Sequence, residues 1–155
     1  MEWKSLFFSF RGRVNRAKYW VVIVIVAVVD GILRGVGFVA EQRAGDSLAA
    51  LLTLLAIALI ILGVAAAFFV AGLAVATKRL HDRDKSAWWL LVFYLLPAVL
   101  AGTGAGVTLA TDSWLGIGLF GAVASAIGIW AFIELGCLRG TPGPNRYGPD
   151  PLASN

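Results

Sequence analysis

Residues 47–77 read SLAALLTLLAIALIILGVAAAFFVAGLAVAT and hold no ionisable side chain. About 20 apolar residues cross the hydrocarbon core of a bilayer, whereas a surface helix of a soluble domain keeps one polar face. This stretch exceeds a span in length and is polar on no side, so it predicts a transmembrane helix. At about 1.5 Å per residue it reaches roughly 46 Å against a core of about 30 Å, which requires tilt or an overrun into one interface.

Outward from it, residues 87–111 and 113–133 are also free of charge, and residues 19–40 are interrupted only by Asp30 and Arg34. The 155-residue chain is 59% hydrophobic and 14% charged, outside the usual balance of soluble domains. The expected fold is an all-α integral membrane protein, one domain over residues 1–155. Its four transmembrane helices are residues 19–40, 47–77, 87–111 and 113–133, with an interfacial segment at 1–18, a cytoplasmic loop at 78–86 and a Pro/Gly-rich tail at 134–155. The first run starts basic, and residues 21–29 match a signal h-region in length, but no small-x-small cleavage site follows and it is read as a retained span. Pro97 followed by Gly102, Gly104 and Gly106 predicts a kink in the third span and irregular last turns.

Lys and Arg near span ends mark the cytoplasmic side. Lys4, Arg11, Arg13, Arg16 and Lys18 precede the first span, Lys78, Arg79, Arg83 and Lys85 separate the second from the third, and Arg139 and Arg146 follow the fourth. The other side has Arg43 beside Glu41 and Asp46, and Asp112. Both termini are therefore expected in the cytoplasm. Trp20, Trp88, Trp89 and Trp130 then fall near the inner interface and Trp114 near the outer one, where amphipathic rings settle. The net charge of +4 follows from this topology, and no nucleic-acid binding is expected.

Trp3, Leu6, Phe7 and Phe10 have helical spacing that would lay one apolar face into the headgroup boundary; packing of the same rings on the bundle is the alternative. Small residues recur four apart at Gly63 and Ala67, Gly72 and Ala76, Gly118 and Ala122, and Ala124 and Gly128. Such stripes let helices approach closely in lipid, and packing among the four spans is expected, with homodimerisation as the alternative.

Three polar segments share the expected cytoplasmic side: FRGRVNRAKYW (10–20), KRLHDRDKSAWW (78–89) and GTPGPNRYGPDP (140–151). They carry, in order, F-x-G-R-x-x-R, R-L-H-D followed by S-x-W-W, and G-x-N-R-Y-G-x-D-P. With these motifs spread over nearly the whole chain, the sequence resembles the DUF805 family of small bacterial inner-membrane proteins. The resemblance implies a multi-pass inner-membrane location and brings no established activity, so it carries over no catalytic residue and no cofactor. Between the R-L-H-D segment and the tail motif this chain has two spans around Asp112, where shorter relatives hold about one.

Within the central segment, Arg79 and Arg83 stand four apart and on a helix would share a face suited to a phosphate. Pairing with Asp82 or Asp84, and capping of the second span by His81, explain the same residues structurally. His81 and Asp82 are neighbours and so do not share a helical face, and no nucleophile is evident for a triad. Cys137 is the sole thiol and is expected to pack passively; one Cys and one His are too few for zinc, and no metal is expected. In the tail, prolines and glycines exclude regular helix. Asn145, Arg146 and Tyr147 are expected to fold it back onto the other polar segments, with Arg146 on a carboxylate or a lipid phosphate.

Asp30 and Arg34 lie one turn apart, with Asp30 about 16 Å beyond Tyr19 and so near mid-bilayer. A charge there costs about 3 kcal/mol on insertion scales, so the two are expected to pair. Three functions remain open. The first is a non-enzymatic membrane protein whose Arg11, Arg13, Arg16, Arg79, His81, Asp82, Arg83, Asn145, Arg146 and Tyr147 engage anionic phospholipid headgroups or a protein partner. The second is a small transporter or channel using Asp30, and the third a membrane enzyme using His81.

Overall fold

The computed structural model describes residues 3–43, 45 and 47–153, with the side chains of Trp3 and Lys4 outside the described set. The charges of Lys4 and Asp46 and the ring of Trp3, used above for topology and for the surface helix, therefore lie outside the described residues. The elements are α1 (Trp3–Phe8), α2 (Arg16–Arg43), α3 (Leu48–Asp82), α4 (Leu96–Thr111) and α5 (Leu115–Phe132). A π-helical turn, Leu91–Leu95, leads into α4, and another, Ile133–Cys137, ends α5. No strand occurs among the described residues. Among the described residues, four helical segments are long and apolar enough to cross a membrane: Arg16–Arg43, Leu48–Asp82, Leu91–Thr111 and Leu115–Cys137.

The chain forms two compact units, one of Met1–Ser9 with Trp20–Val75, the other of Phe10–Tyr19 with Ala76–Asn155. In the first, α3 starts where Ser47 Oγ accepts the Ala50 N–H at 3.1 Å, an N-cap on one of the unsatisfied first-turn donors. Gly37 of α2 faces Ile61 of α3, whose Cδ1 would be 3.7 Å from an added Cβ. Val24, Val28, Ile32, Leu51, Leu55, Leu59 and Leu62 are exposed. In water such a surface would be untenable, whereas in lipid it is the solvent-facing side.

Three expectations are corrected here. α1 ends at Phe8, so Phe10 is not part of its face, and Leu6 is buried at 6% exposure. Of the small-residue pairs, Gly72–Ala76 ends in a fully buried Ala76, whereas an added Cβ at Gly63, Gly118 or Gly128 meets no atom within 4 Å. The last turns of the third span are regular α-helix through Gly102, Gly104 and Gly106 to Thr111.

The second unit explains the last two points. An added Cβ on Gly104 would sit 2.9 Å from the Gly116 carbonyl oxygen, and one on Gly116 would sit 2.6 Å from the Gly104 carbonyl oxygen. Backbones in this proximity hold α4 against α5, and the Thr108 hydroxyl accepts the Ile117 N–H at 3.1 Å across the same contact. The reversal is tight, with Asp112 left-handed at φ 49°. The irregularity attached to Pro97 falls before it. The Leu96 N–H bonds to the Leu91 carbonyl five residues back, and the proline takes the first turn of α4, where a missing N–H costs least. Trp89, Phe93 and Trp130 pack edge to face beside this turn, at 5.4 and 5.2 Å between Trp130 and the other two rings.

Candidate functional site

The polar segments of the second unit form one buried network. Asn15 starts α2 by accepting the Lys18 N–H on its side chain at 3.0 Å, which fixes where the preceding residues 10–14 run. Val14 donates its N–H to the Lys78 carbonyl at 3.3 Å. α3 continues as helix past Thr77 through Lys78, Arg79, His81 and Asp82, so these side chains leave a rigid element rather than a loop.

Asp82 is the centre, exposed by only 2%. Its Oδ1 takes Arg13 Nη2 at 3.0 Å and Nε at 3.1 Å, and its Oδ2 takes Arg79 Nη1. Both guanidiniums spend their other donors on tail carbonyls. Arg13 bonds Gly143 and Thr141 at 2.6 Å each, and Arg79 bonds Leu135 at 2.8 Å and also Leu138. A guanidinium offers five N–H donors in a fixed fork, and the residues around π-turn Ile133–Cys137 present carbonyls no helix consumes. The Asp82 carbonyl in turn accepts the Thr141 N–H at 2.8 Å. Gly140 stands so close that a Cβ there would fall 2.0 Å from Asp82 Oδ2.

A second layer pins the tail. His81 and Tyr147 stack face to face at 3.8 Å and 5°, and His81 Nδ1 donates to the Gly12 carbonyl at 3.2 Å. The Asn145 amide donates to the His81 carbonyl at 2.9 Å and to Thr141 Oγ1 at 3.0 Å. Arg146 pairs with Asp84 at 3.1 Å. Asp150 Oδ2 accepts the Gly143 N–H and Oδ1 the Leu152 N–H, each at 2.9 Å. These two backbone donors, Leu152 first, hold the Asp150 carboxyl below its usual range, with Arg13 adding to the effect.

Glu134 repeats the motif of one carboxylate between two cations, with Arg83 Nε and Lys85 Nζ each 3.0 Å from its Oε1. Arg79 and Arg83 therefore present no common face to a ligand: one is buried on Asp82, the other turns to Glu134. Cys137 is exposed rather than packed. Arg11 and Arg16 are exposed, and Arg16 makes one long bond of 3.4 Å to the Cys137 carbonyl. Asp30 and Arg34 pair at 2.7 Å in the first unit.

Beside the network lies a depression of about 440 Å³ lined by Asn15, Arg16, Arg79, Arg139, Asp82 and Asp150, among others. Sequence reasoning did not single out Glu134, Arg139, Gly140, Thr141 or Asp150 as site residues. Asp150 stood inside a quoted motif and was within reach; a glycine required by a carboxylate remote in sequence gives no local signal.

Four lipid-length helices and a charged, folded end define a multi-pass α-helical membrane protein. Residues 7–149 match the family described as "Protein of unknown function (DUF805)", and the chain belongs to that family. It is similar to Inner membrane protein YhaH of Escherichia coli K12, 35% identical over 147 residues that cover 92% of this chain and 87% of the relative. Uncharacterized protein YiiR of the same strain is 32% identical over 143 residues, 92% and 86% of the two chains, and Inner membrane protein YhaI is 29% identical over the same coverage. No solved structure matches. The protein is a multi-pass protein of the bacterial inner membrane.

Proposed function

We propose that this protein is a non-enzymatic membrane protein whose charged end faces the cytoplasm and holds an anionic phospholipid headgroup at the depression beside Asp82. The supporting observation is the charge balance of its wall. Arg16 and Arg139 line it, while Arg79 and Asp82 in the same wall already neutralise each other and Asp150 is held by two backbone N–H groups. Arg16 and Arg139 are both exposed. A phosphate would supply the missing anion, and each basic residue near an anionic leaflet adds about 1 kcal/mol.

An enzyme built on His81 is less well supported. Its ring is covered by Tyr147 and one nitrogen is committed to Gly12, which suits a fixed post better than a proton shuttle.

The test compares thermal unfolding of the protein in phosphatidylglycerol nanodiscs and in phosphatidylcholine nanodiscs. The expected result is a higher midpoint in phosphatidylglycerol, a gain that shrinks with salt and disappears in the Arg16→Gln, Arg139→Gln double variant. Equal midpoints in the two lipids, or a gain untouched by the double variant, would reject the reading.

A further inference from the structure

The depression beside Asp82 offers more room than the oxygens of one phosphate fill. At about 440 Å³ it falls in the size range of small-molecule sites. Its wall also keeps hydrogen-bonding capacity of both kinds. On the donor side, Arg139 has no side-chain partner among the described residues, and Arg16 makes only the long bond through Nη1. The Asn15 side chain spends its oxygen on the Lys18 N–H, and its amide nitrogen has no partner among the described residues. On the acceptor side stands Asp150. Oδ2 accepts the Gly143 N–H and Oδ1 the Leu152 N–H, and a carboxylate has room for about four such bonds, so each oxygen keeps one lone pair. Asp82 offers less, since three guanidinium bonds already reach it and it is buried.

We infer that the headgroup held here is a glycerol phosphodiester: Arg16, Arg139 and Asn15 take the phosphate oxygens, and the Asp150 carboxylate accepts the two vicinal hydroxyls of the glycerol, one on each oxygen. The inference rests on the headgroup reading and adds to it the group beyond the phosphate. Asp150 is fixed by its two backbone bonds, so it meets a diol without first having to be ordered. Charge decides against the main competitor. An ammonium headgroup would suit a lone carboxylate, but Arg13, Arg16, Arg79 and Arg139 stand around only two acids, Asp82 and Asp150. A further cation would enter that positive surplus and be repelled, whereas a hydroxyl donates to Asp150 without adding charge.

The experiment follows thermal unfolding of the full chain in phosphatidylcholine nanodiscs, alone or with an equal mole fraction of phosphatidylglycerol or phosphatidylmethanol. The phosphodiester of phosphatidylmethanol bears the same single negative charge but its headgroup has no hydroxyl. Both anionic lipids are expected to raise the midpoint, phosphatidylglycerol by about 2–4 °C more, the shift that hydrogen bonding of about 1 kcal/mol makes in a chain of this size. Equal rises in the two would overturn this inference and leave the headgroup reading standing; no rise in either would reject both. This comparison needs no variant, so misfolding cannot mask it. Asp150→Asn should lose the phosphatidylglycerol increment and keep the rise that phosphatidylmethanol gives, and an increment that survives the substitution would overturn the inference. Soluble glycerophosphoglycerol, the same headgroup without acyl chains, is expected to leave the midpoint in plain phosphatidylcholine nanodiscs unchanged. A rise equal to that of phosphatidylglycerol would uphold recognition of the glycerol phosphodiester and place its source in the aqueous phase instead of the lipid.

Discussion

Two ion pairs of the molecule are built on opposite principles. Asp30 and Arg34 are four residues apart on one helix and open to their surroundings; Arg13 and Asp82 are 69 residues apart and closed off, at 1% and 3% side-chain exposure. The first is local, and any helix through those residues makes it. The second exists only when α3, the segment before α2 and the tail have all found their places. Its burial is bearable because the charges are met on every side. Asp82 has two guanidiniums, and each guanidinium has backbone carbonyls for its other donors. Removal of one partner is therefore far more harmful than the net worth of the pair.

That contrast is broken most severely by Asp82→Asn. With two buried guanidiniums left facing a neutral amide, stability should fall by about 3–5 kcal/mol, measured by chemical unfolding in detergent with tryptophan fluorescence. Next is Gly140→Ala, which leaves every charge in place but puts a methyl where the carboxylate is. The expected loss is about 1–3 kcal/mol, the range for overpacking, and a neutral result would mean that Asp82 can shift without penalty.

Tyr147→Ala probes the outer layer, where the stack on His81 should contribute about 0.5–1.5 kcal/mol beyond its area. Limited proteolysis should then cut the tail faster. Acid should act on the same tail through Asp150. Its carboxyl is held below the ordinary value of 3.8, so its stabilising bonds are complete above that pH and are lost as pH falls through the folded value. Protease sensitivity of the tail should rise in that window, and Asp150→Asn should show the increase already at neutral pH. The smallest effect belongs to Arg146→Gln. That side chain is 59% exposed, and a solvated pair is worth about 0–1 kcal/mol; a loss as large as that of Asp82→Asn would erase the distinction between open and closed pairs.

The same division decides what could be read from the sequence. Span existence was legible because a charge-free run is a one-dimensional property that meets a fixed length scale, the bilayer. The Asp30–Arg34 pair was legible because helical periodicity alone brings it together. The three motif segments pointed to the right region, and Asn145, Arg146 and Tyr147 were picked out as the tail's contact residues. What could not be read was pairing at long range. Nothing near Asp82 in the sequence indicates Arg13, and nothing near Gly140 indicates the carboxylate that forbids a side chain there. The small-residue stripes are limited for a related reason: spacing marks where close approach is permitted, and the fold also brings together Gly104 and Gly116, which stand outside those stripes.

Arg13 is bonded to carbonyls at Thr141 and Gly143, 128 and 130 residues further along the chain. On a ribosome those carbonyls are made only after the last of the four apolar helices. While the apolar helices enter the bilayer one after another, Arg13 and Asp82 must wait in water, hydrated and unshielded, and only the stretch that follows the fourth helix lets them close. A message cut short before that stretch would yield a chain with its greasy segments inserted and its polar lock open, a form that quality-control proteases can tell from the finished product.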